Sequence, residues 1–360
     1  MKIKDRYIAK TLLTNSLIVL LVWLSIYSFF NFLAELNSVG TVNYTILKAF
    51  HYILFQMPEV AYEQVSPVIL LGCILGMGHL ATTGQLIIFR ASGISILKIT
   101  WLTLKNAIIF LIFLTIIGEL VAPVLTKYAE DERSIALGQN NLSTSYYGFW
   151  IRDGDNFINV ENNIDGSSFN GVTIIEVNKS NKIERVVESK SAVFNGQILN
   201  MDATNIYSIN SLNVFDEIAL KERNSYNKLV AFDQDLIESL EKEPKDLTTF
   251  TILKQINFLT DNKLRAEVFE VELYKRLAKP FILISMILLA MLFIFGSTRD
   301  VTLGRKIFFG VALGLLFELF TRIGGALALS FDFSPILSSF LPAILIMLIA
   351  VIVLINKSTK

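Results

Sequence analysis

Cysteine is nearly absent from this 360-residue chain, and the one thiol, Cys73, lies in an apolar stretch, so an internal disulfide and a thiolate metal cluster are both excluded. Histidine is almost as scarce. His51 and His79 fall on different predicted segments with no spaced carboxylate or cysteine partner, which leaves no metal motif and no frame for Ser/His/Asp catalysis. Net charge is missing too: 32 basic and 32 acidic residues cancel, so no general attraction to nucleic acid is expected. The chain also lacks a G-x-x-x-x-G-K-[ST] string, the phosphate-cradling loop of P-loop ATPases. Any ATP-driven work needs a partner, and no cofactor is expected here.

What is abundant is apolar surface. The composition is 53% hydrophobic and only 18% charged, too apolar for ordinary soluble domains. The charges concentrate between residues 127 and 276, leaving long hydrophobic runs at 11–125 and 277–355. A helix needs roughly 20 apolar residues to cross the hydrocarbon core, because its backbone groups must bond within the segment. Six segments qualify, near 11–32, 60–80, 100–125, 277–295, 307–329 and 336–355. The first is too long for a signal-peptide core and lacks a small-residue cleavage site, so it reads as a retained helix.

Basic residues near span ends mark the cytoplasmic side. Lys2, Lys4, Arg6 and Lys10, then Arg90 and Lys98, then Arg299, Arg305 and Lys306, then Lys357 and Lys360 all fall on one side. The opposite connections carry only Lys48 and, near Asp332, no base. Both termini are therefore expected in the cytoplasm, and the long polar segment outside.

That segment, roughly 142–230, contains short β-branched stretches such as 156–160, 171–177 and 185–188, separated by Asp165-Gly166 and Asn195-Gly196. The alternation predicts an all-β sandwich of seven or eight strands, as in a jelly roll. After Pro244 the pattern turns helical again, over 247–259 and 264–277. The expected fold is a membrane α-helical bundle of six transmembrane helices, three plus three, with an inserted all-β jelly-roll-like periplasmic domain. Its divisions are 1–126, with a cytoplasmic helix near 83–98, then 127–270, then 271–360. No sequence repeat relates the two halves, although matching triplets suggest pseudo-symmetry.

Several strings, in order along nearly the whole chain, resemble one family. They are Asp5-Arg6-Tyr7-Ile8, Gly118-Glu119-Leu120-Val121-Ala122-Pro123, Phe293-Ile294-Phe295-Gly296 with Arg299, and, most specific, Gly148-Phe149-Trp150-Ile151-Arg152-Asp153-Gly154 followed by Asn156-Phe157. The chain so resembles the LptF/LptG permeases of the lipopolysaccharide exporter, an ATP-binding-cassette transporter, and the last string resembles the LptG branch. The resemblance implies a Gram-negative inner-membrane permease that pairs with an LptF-like permease and sits on an LptB-like ATPase dimer, which binds the ATP and Mg. Its substrate would be lipopolysaccharide, extracted from the outer leaflet and passed toward LptC and LptA.

The resemblance also assigns residues. Gln85, Leu86, Phe89, Arg90 and Gly93 match the family's coupling helix, E-L-x-x-M-x-A-S-G, with Gln85 in place of its leading glutamate. Acyl chains would lie in a cavity between the first and fifth spans of the two permeases, to which this chain would bring Leu21, Ser28 and Asn31 with Leu313, Phe317 and Thr321. Positions that hold phosphate-binding lysines in better-known LptG proteins read Asn31, Asn37, Ser38 and Glu59, leaving Arg133 and Arg322 as candidates. Either these two suffice, or the second permease supplies charge, or the lipid carries fewer phosphates.

Simpler roles stand beside these. Glu318 and Arg322 are four apart and can pair along one helix face. Glycines 72, 76, 78, 310 and 314 present small faces for close helix packing. Two other functions fit the composition: a lipid-modifying envelope enzyme, which would need Glu318, Arg322 or His79 for catalysis, and an FtsX-like mechanical transmitter, which typically has fewer spans.

Overall fold

The computed structural model describes residues 3–138, 146–164, 166–178, 180, 182–210, 217–233, 236–237, 243–296, 303–330 and 333–358. They form two compact units. One comprises Met1–Val39, Thr45–Glu130 and Glu270–Lys360, the other Gly40–Tyr44 and Asp131–Phe269. Hydropathy groups residues 40–44 with the first spans. They cluster instead with the second unit, where Asn43 N donates to Ala136 O at 3.0 Å.

The first unit is helical. It begins with α1 (Ile3–Glu35), α2 (Ile46–Glu63), α3 (Val65–Thr82), α4 (Gln85–Ala91) and α5 (Ile96–Ile116). A π-helical turn (Ile117–Val121) then leads into α6 (Ala122–Ala136). After the strands and α7 (Thr249–Asp261) of the second unit come α8 (Glu267–Gly296), α9 (Leu303–Ser330) and α10 (Pro335–Ser358). Local chemistry sets several ends. The Thr45 hydroxyl accepts from Lys48 N and that of Ser95 from Lys98 N, satisfying first-turn donors of α2 and α5. Gly93, at φ +84°, ends α4 in the left-handed conformation that glycine adopts without a Cβ clash.

Five helices among the described residues are long and apolar enough to cross a membrane: Asp5–Ser38, Val65–Thr82, Ile96–Ala136, Glu267–Phe295 and Pro335–Val353. α9 is a continuous 28-residue helix whose apolar part, Phe308–Phe317, is shorter. The span expected at 60–80 is corrected: α3 begins at Val65, and 46–63 form a separate helix. Gln64 leaves the helical backbone there, at ψ 11°.

α3 sits at the centre, with Val65, Val68, Ile69, Leu70, Cys73, Ile74, Met77 and Leu80 almost fully enclosed. Gly72 is what lets α1 cross it closely, since a Cβ there would come within 2.6 Å of the Ser16 Cα. By contrast α1 exposes Leu17, Ile18, Leu21, Val22, Ile26, Phe29, Phe30 and Leu33. A contiguous apolar face of this size belongs against lipid or another helix, not water.

The second unit holds β1 (Tyr146–Asp153), β2 (Asn156–Asn163), β3 (Ser168–Val177), β4 (Ile183–Phe194), β5 (Ile198–Asn210) and β6 (Glu217–Leu229). They form one antiparallel sheet in sequential order. Ile151, Ile158, Ile174, Val187 and Ile206 stand opposite one another across five strands, and all are buried. One face of the sheet is thus the core, as strand alternation requires. Phe169, Phe194 and Phe232 stack within it, and Phe258 of α7 joins them.

The sheet folds over itself. Among the described residues β6 is paired with β5 alone, yet Lys228 Nζ reaches Glu176 of β3 (2.6 Å) and Asn156 of β2 (3.0 Å). Just beyond β6, Ala231 N donates to Asp153 Oδ2 at the end of β1. Six strands in meander order thus stand among the described residues where seven or eight were expected.

Candidate functional site

Two places in the first unit combine exposure with chemistry that the fold itself does not consume. The first is α4, held by its ends to the rest of the unit. Leu86 is buried and Phe89 packs against the helical core. Gln85 Oε1 accepts a hydrogen bond from Tyr7 Oη at 2.6 Å, and the Tyr7 ring meets Phe89 edge-on at 6.4 Å. These three side chains therefore fasten α4 inward. The opposite face presents Ile87 and Ile88, 69% and 67% exposed, beside exposed Arg90. Of the residues expected to dock a partner, Arg90 faces outward, while Leu86, Phe89 and Gln85 are occupied within the chain. Ile87 and Ile88 were missed. Their i, i+1 spacing beside Leu86 and Phe89 signals two apolar faces on one short helix, but not which face turns in.

The second place is an apolar pocket of about 190 Å³ lined by Trp23 of α1, Pro67, Leu70 and Leu71 of α3, and Gly310, Val311, Gly314 and Leu315 of α9. Gln64, at the break between α2 and α3, supplies its polar group. The α9 glycines create it: a Cβ at Gly314 would already lie 3.3 Å from Leu70. Leu315, half exposed on the far side, leaves the pocket open to the exterior of the unit. Such a slot suits a flexible hydrocarbon chain, which needs no hydrogen-bond partners.

The expected cavity residues divide. Leu21 is well exposed on α1. The Ser28 hydroxyl is buried and makes no hydrogen bond to the described residues, and Asn31 Nδ2 donates back to Tyr27 O at 2.9 Å. Phe317 is 5% exposed and packs among the helices. It lies on the stripe of α9 that continues from Gly310 and Gly314 toward the bundle interior. The side chains of Leu313, Thr321, Arg322 and Glu318 lie outside the described residues, as does Arg299. Arg133 is half-buried on α6 and already engaged with a neighbouring group. Glu59, in a place where a lysine was sought, accepts from Thr126 Oγ1 at 2.9 Å. Among the described side chains, none of the six expected cavity residues is in the pocket lining, which takes Trp23 from α1 and Gly310, Val311, Gly314 and Leu315 from α9, with α3 as a further wall.

Long apolar helices with lipid-compatible faces, together with a separate β unit, define a membrane-embedded helical protein with a β domain. The chain belongs to the LptF/LptG family, described as the lipopolysaccharide export system permease, which it matches over residues 6–356. It is a bacterial membrane-embedded permease subunit, not an enzyme. It is similar to the lipopolysaccharide export system permease protein LptG of Escherichia coli K12, with 26% identity over 98% of each chain. It is also 25% identical to LptG of Haemophilus influenzae over 95% of each chain.

Proposed function

We propose that the chain is the LptG-like half of a paired permease that extracts lipopolysaccharide from the outer leaflet of the inner membrane. In this reading the chain has six spans, three on each side of the β unit, with both termini in the cytoplasm and the β unit in the periplasm, a topology supported by the distribution of Lys and Arg. An LptF-like permease forms the other wall of the cavity. An LptB-like ATPase dimer, holding ATP and Mg, docks on the exposed Ile87, Ile88 and Arg90 face of α4. The folded-over sheet serves as the jelly-roll-like bridge that hands the lipid to LptC and LptA.

The observation that carries this reading is the pocket between α1, α3 and α9, apolar and open where a lipid chain would enter. A photoreactive residue at position 315 tests it in the assembled complex. Crosslinking to lipopolysaccharide that falls when ATP turns the exporter over is the expected result. Crosslinks only to phospholipid, unchanged by ATP, would contradict it.

A further inference from the structure

α8 is apolar along most of its length, but its early turns carry Glu272, Lys275, Arg276 and Lys279 at i, i+3, i+4 and i+7. That spacing puts four charged side chains on one stripe. Three of them touch other parts of the helical unit, and Glu272 pairs with Arg276 on the same helix. Arg276, with a side chain only 8% exposed, bonds Glu119 of the π-helical turn at 3.1 Å and Glu272 at 3.3 Å. Lys279 Nζ lies 3.1 Å from the centre of the Tyr62 ring on α2. Tyr62 in turn packs on Gly118, where a Cβ would fall 2.6 Å from the Tyr62 Cβ. Lys275 rests on Gly325 of α9, where a Cβ would lie 3.1 Å from its Cε. The neighbouring Gly324 sits equally close to Ser338 O of α10.

Burying ions in this way is costly unless geometry and partners are good, and a π-helical turn departs from the regular helix, often where function requires it. Packing alone would be met by apolar side chains. The contacts of the stripe reach three other elements, the π-helical turn through Arg276, α2 through Lys279 and α9 through Lys275, and Gly325 brings α9 close to α8. One of them, α9, forms a wall of the pocket. The two helices joined by the Arg276–Glu119 pair are those from which the chain runs on into the strands and to which it returns.

We infer that the α8 stripe is a positioning device for transport, fixing α9 against the π-helical turn so that displacement of α5 and α8 moves the pocket wall. Arg276 is its central positioning residue, and Lys275 on Gly325 is the arm that reaches α9. The inference rests on the proposed lipid site.

The test uses the full complex in liposomes with its permease and ATPase partners, reading lipopolysaccharide released per ATP hydrolysed. Arg276→Met is expected to leave assembly intact and hydrolysis within about twofold of wild type, while release per ATP falls roughly tenfold, a coupling of ordinary allosteric size. Arg276→Lys should restore most of it. Lys275→Met, which removes an arm without unpairing a buried carboxylate, should lower the same ratio even if Arg276→Met fails to assemble. Wild-type ratios in assembled Arg276→Met or in Lys275→Met would overturn the inference, as would hydrolysis and release falling in strict proportion. A wild-type complex that releases no lipopolysaccharide would overturn the proposed function itself.

Discussion

Replacing Ile87 and Ile88 together with alanine should detach the ATPase without unfolding the permease. Each side chain keeps about two thirds of its surface accessible in the isolated chain, and neither supports the helical core. Fully burying an isoleucine contributes about 1.5–3 kcal/mol, so covering the exposed part of these two is worth about 2–4 kcal/mol. At about 1.4 kcal/mol per decade that is a loss of roughly 30- to 1,000-fold in affinity. The assay is equilibrium binding of purified ATPase to the permease pair in nanodiscs, with thermal unfolding of the permease measured in parallel. Leu86→Ala is the informative control. Leu86 is buried, so its truncation should lower thermal stability while folded molecules keep near-normal affinity. If Leu86→Ala abolishes binding and the double isoleucine variant does not, the assignment of inner and outer faces of α4 is wrong.

Other outcomes follow from close contacts. Gly72→Ala places a methyl against the Ser16 backbone, which cannot swing aside, so a loss near 3 kcal/mol is expected, the upper end for overpacking. Gly304→Ala, with nothing within 4 Å, should be neutral or slightly stabilising in the same thermal assay. Phe169→Ala empties the centre of the Phe169, Phe194 and Phe232 stack and should cost about 3–5 kcal/mol, seen as faster hydrogen exchange throughout β2 to β5. Tyr7→Phe removes the hydrogen bond to Gln85, so ATPase affinity should fall by less than about tenfold, in keeping with a net 0.5–1.5 kcal/mol.

Apolar runs were legible wherever one helix crossed lipid alone. The 11–32 run lies inside α1, and the strand segments 156–160, 171–177 and 185–188 lie inside β2, β3 and β4, because alternation in those stretches is local. α2 was not legible. Pro58, Glu59 and Glu63 punctuate 46–63 as a connection would, although Pro58 is accommodated within the helix. The π-helical turn has no local code either, since Glu119 is paired by Arg276 from 157 residues away. Distance in sequence hid the fold-over of the sheet for the same reason: Lys228 meets Glu176 and Asn156 only once β5 and β6 bend back.

At the candidate site, motif spacing located α4 but not its orientation, because the Tyr7 to Gln85 bond spans 78 residues. Residue type located the α9 glycines and could not reveal that α3 completes the pocket. Phe317, on the stripe of Gly310 and Gly314, packs among the helices, and its burial is set by neighbours that residue type alone does not reveal.

The most direct test of the account is transfer of lipopolysaccharide from liposomes that contain the chain with its LptF-like and LptB-like partners to a soluble LptA-like acceptor. ATP-dependent transfer that disappears when this chain is left out, or when α4 carries the Ile87 and Ile88 substitutions, is the predicted result. Equal transfer with and without the chain, or ATP hydrolysis with no lipid leaving the membrane, would contradict it.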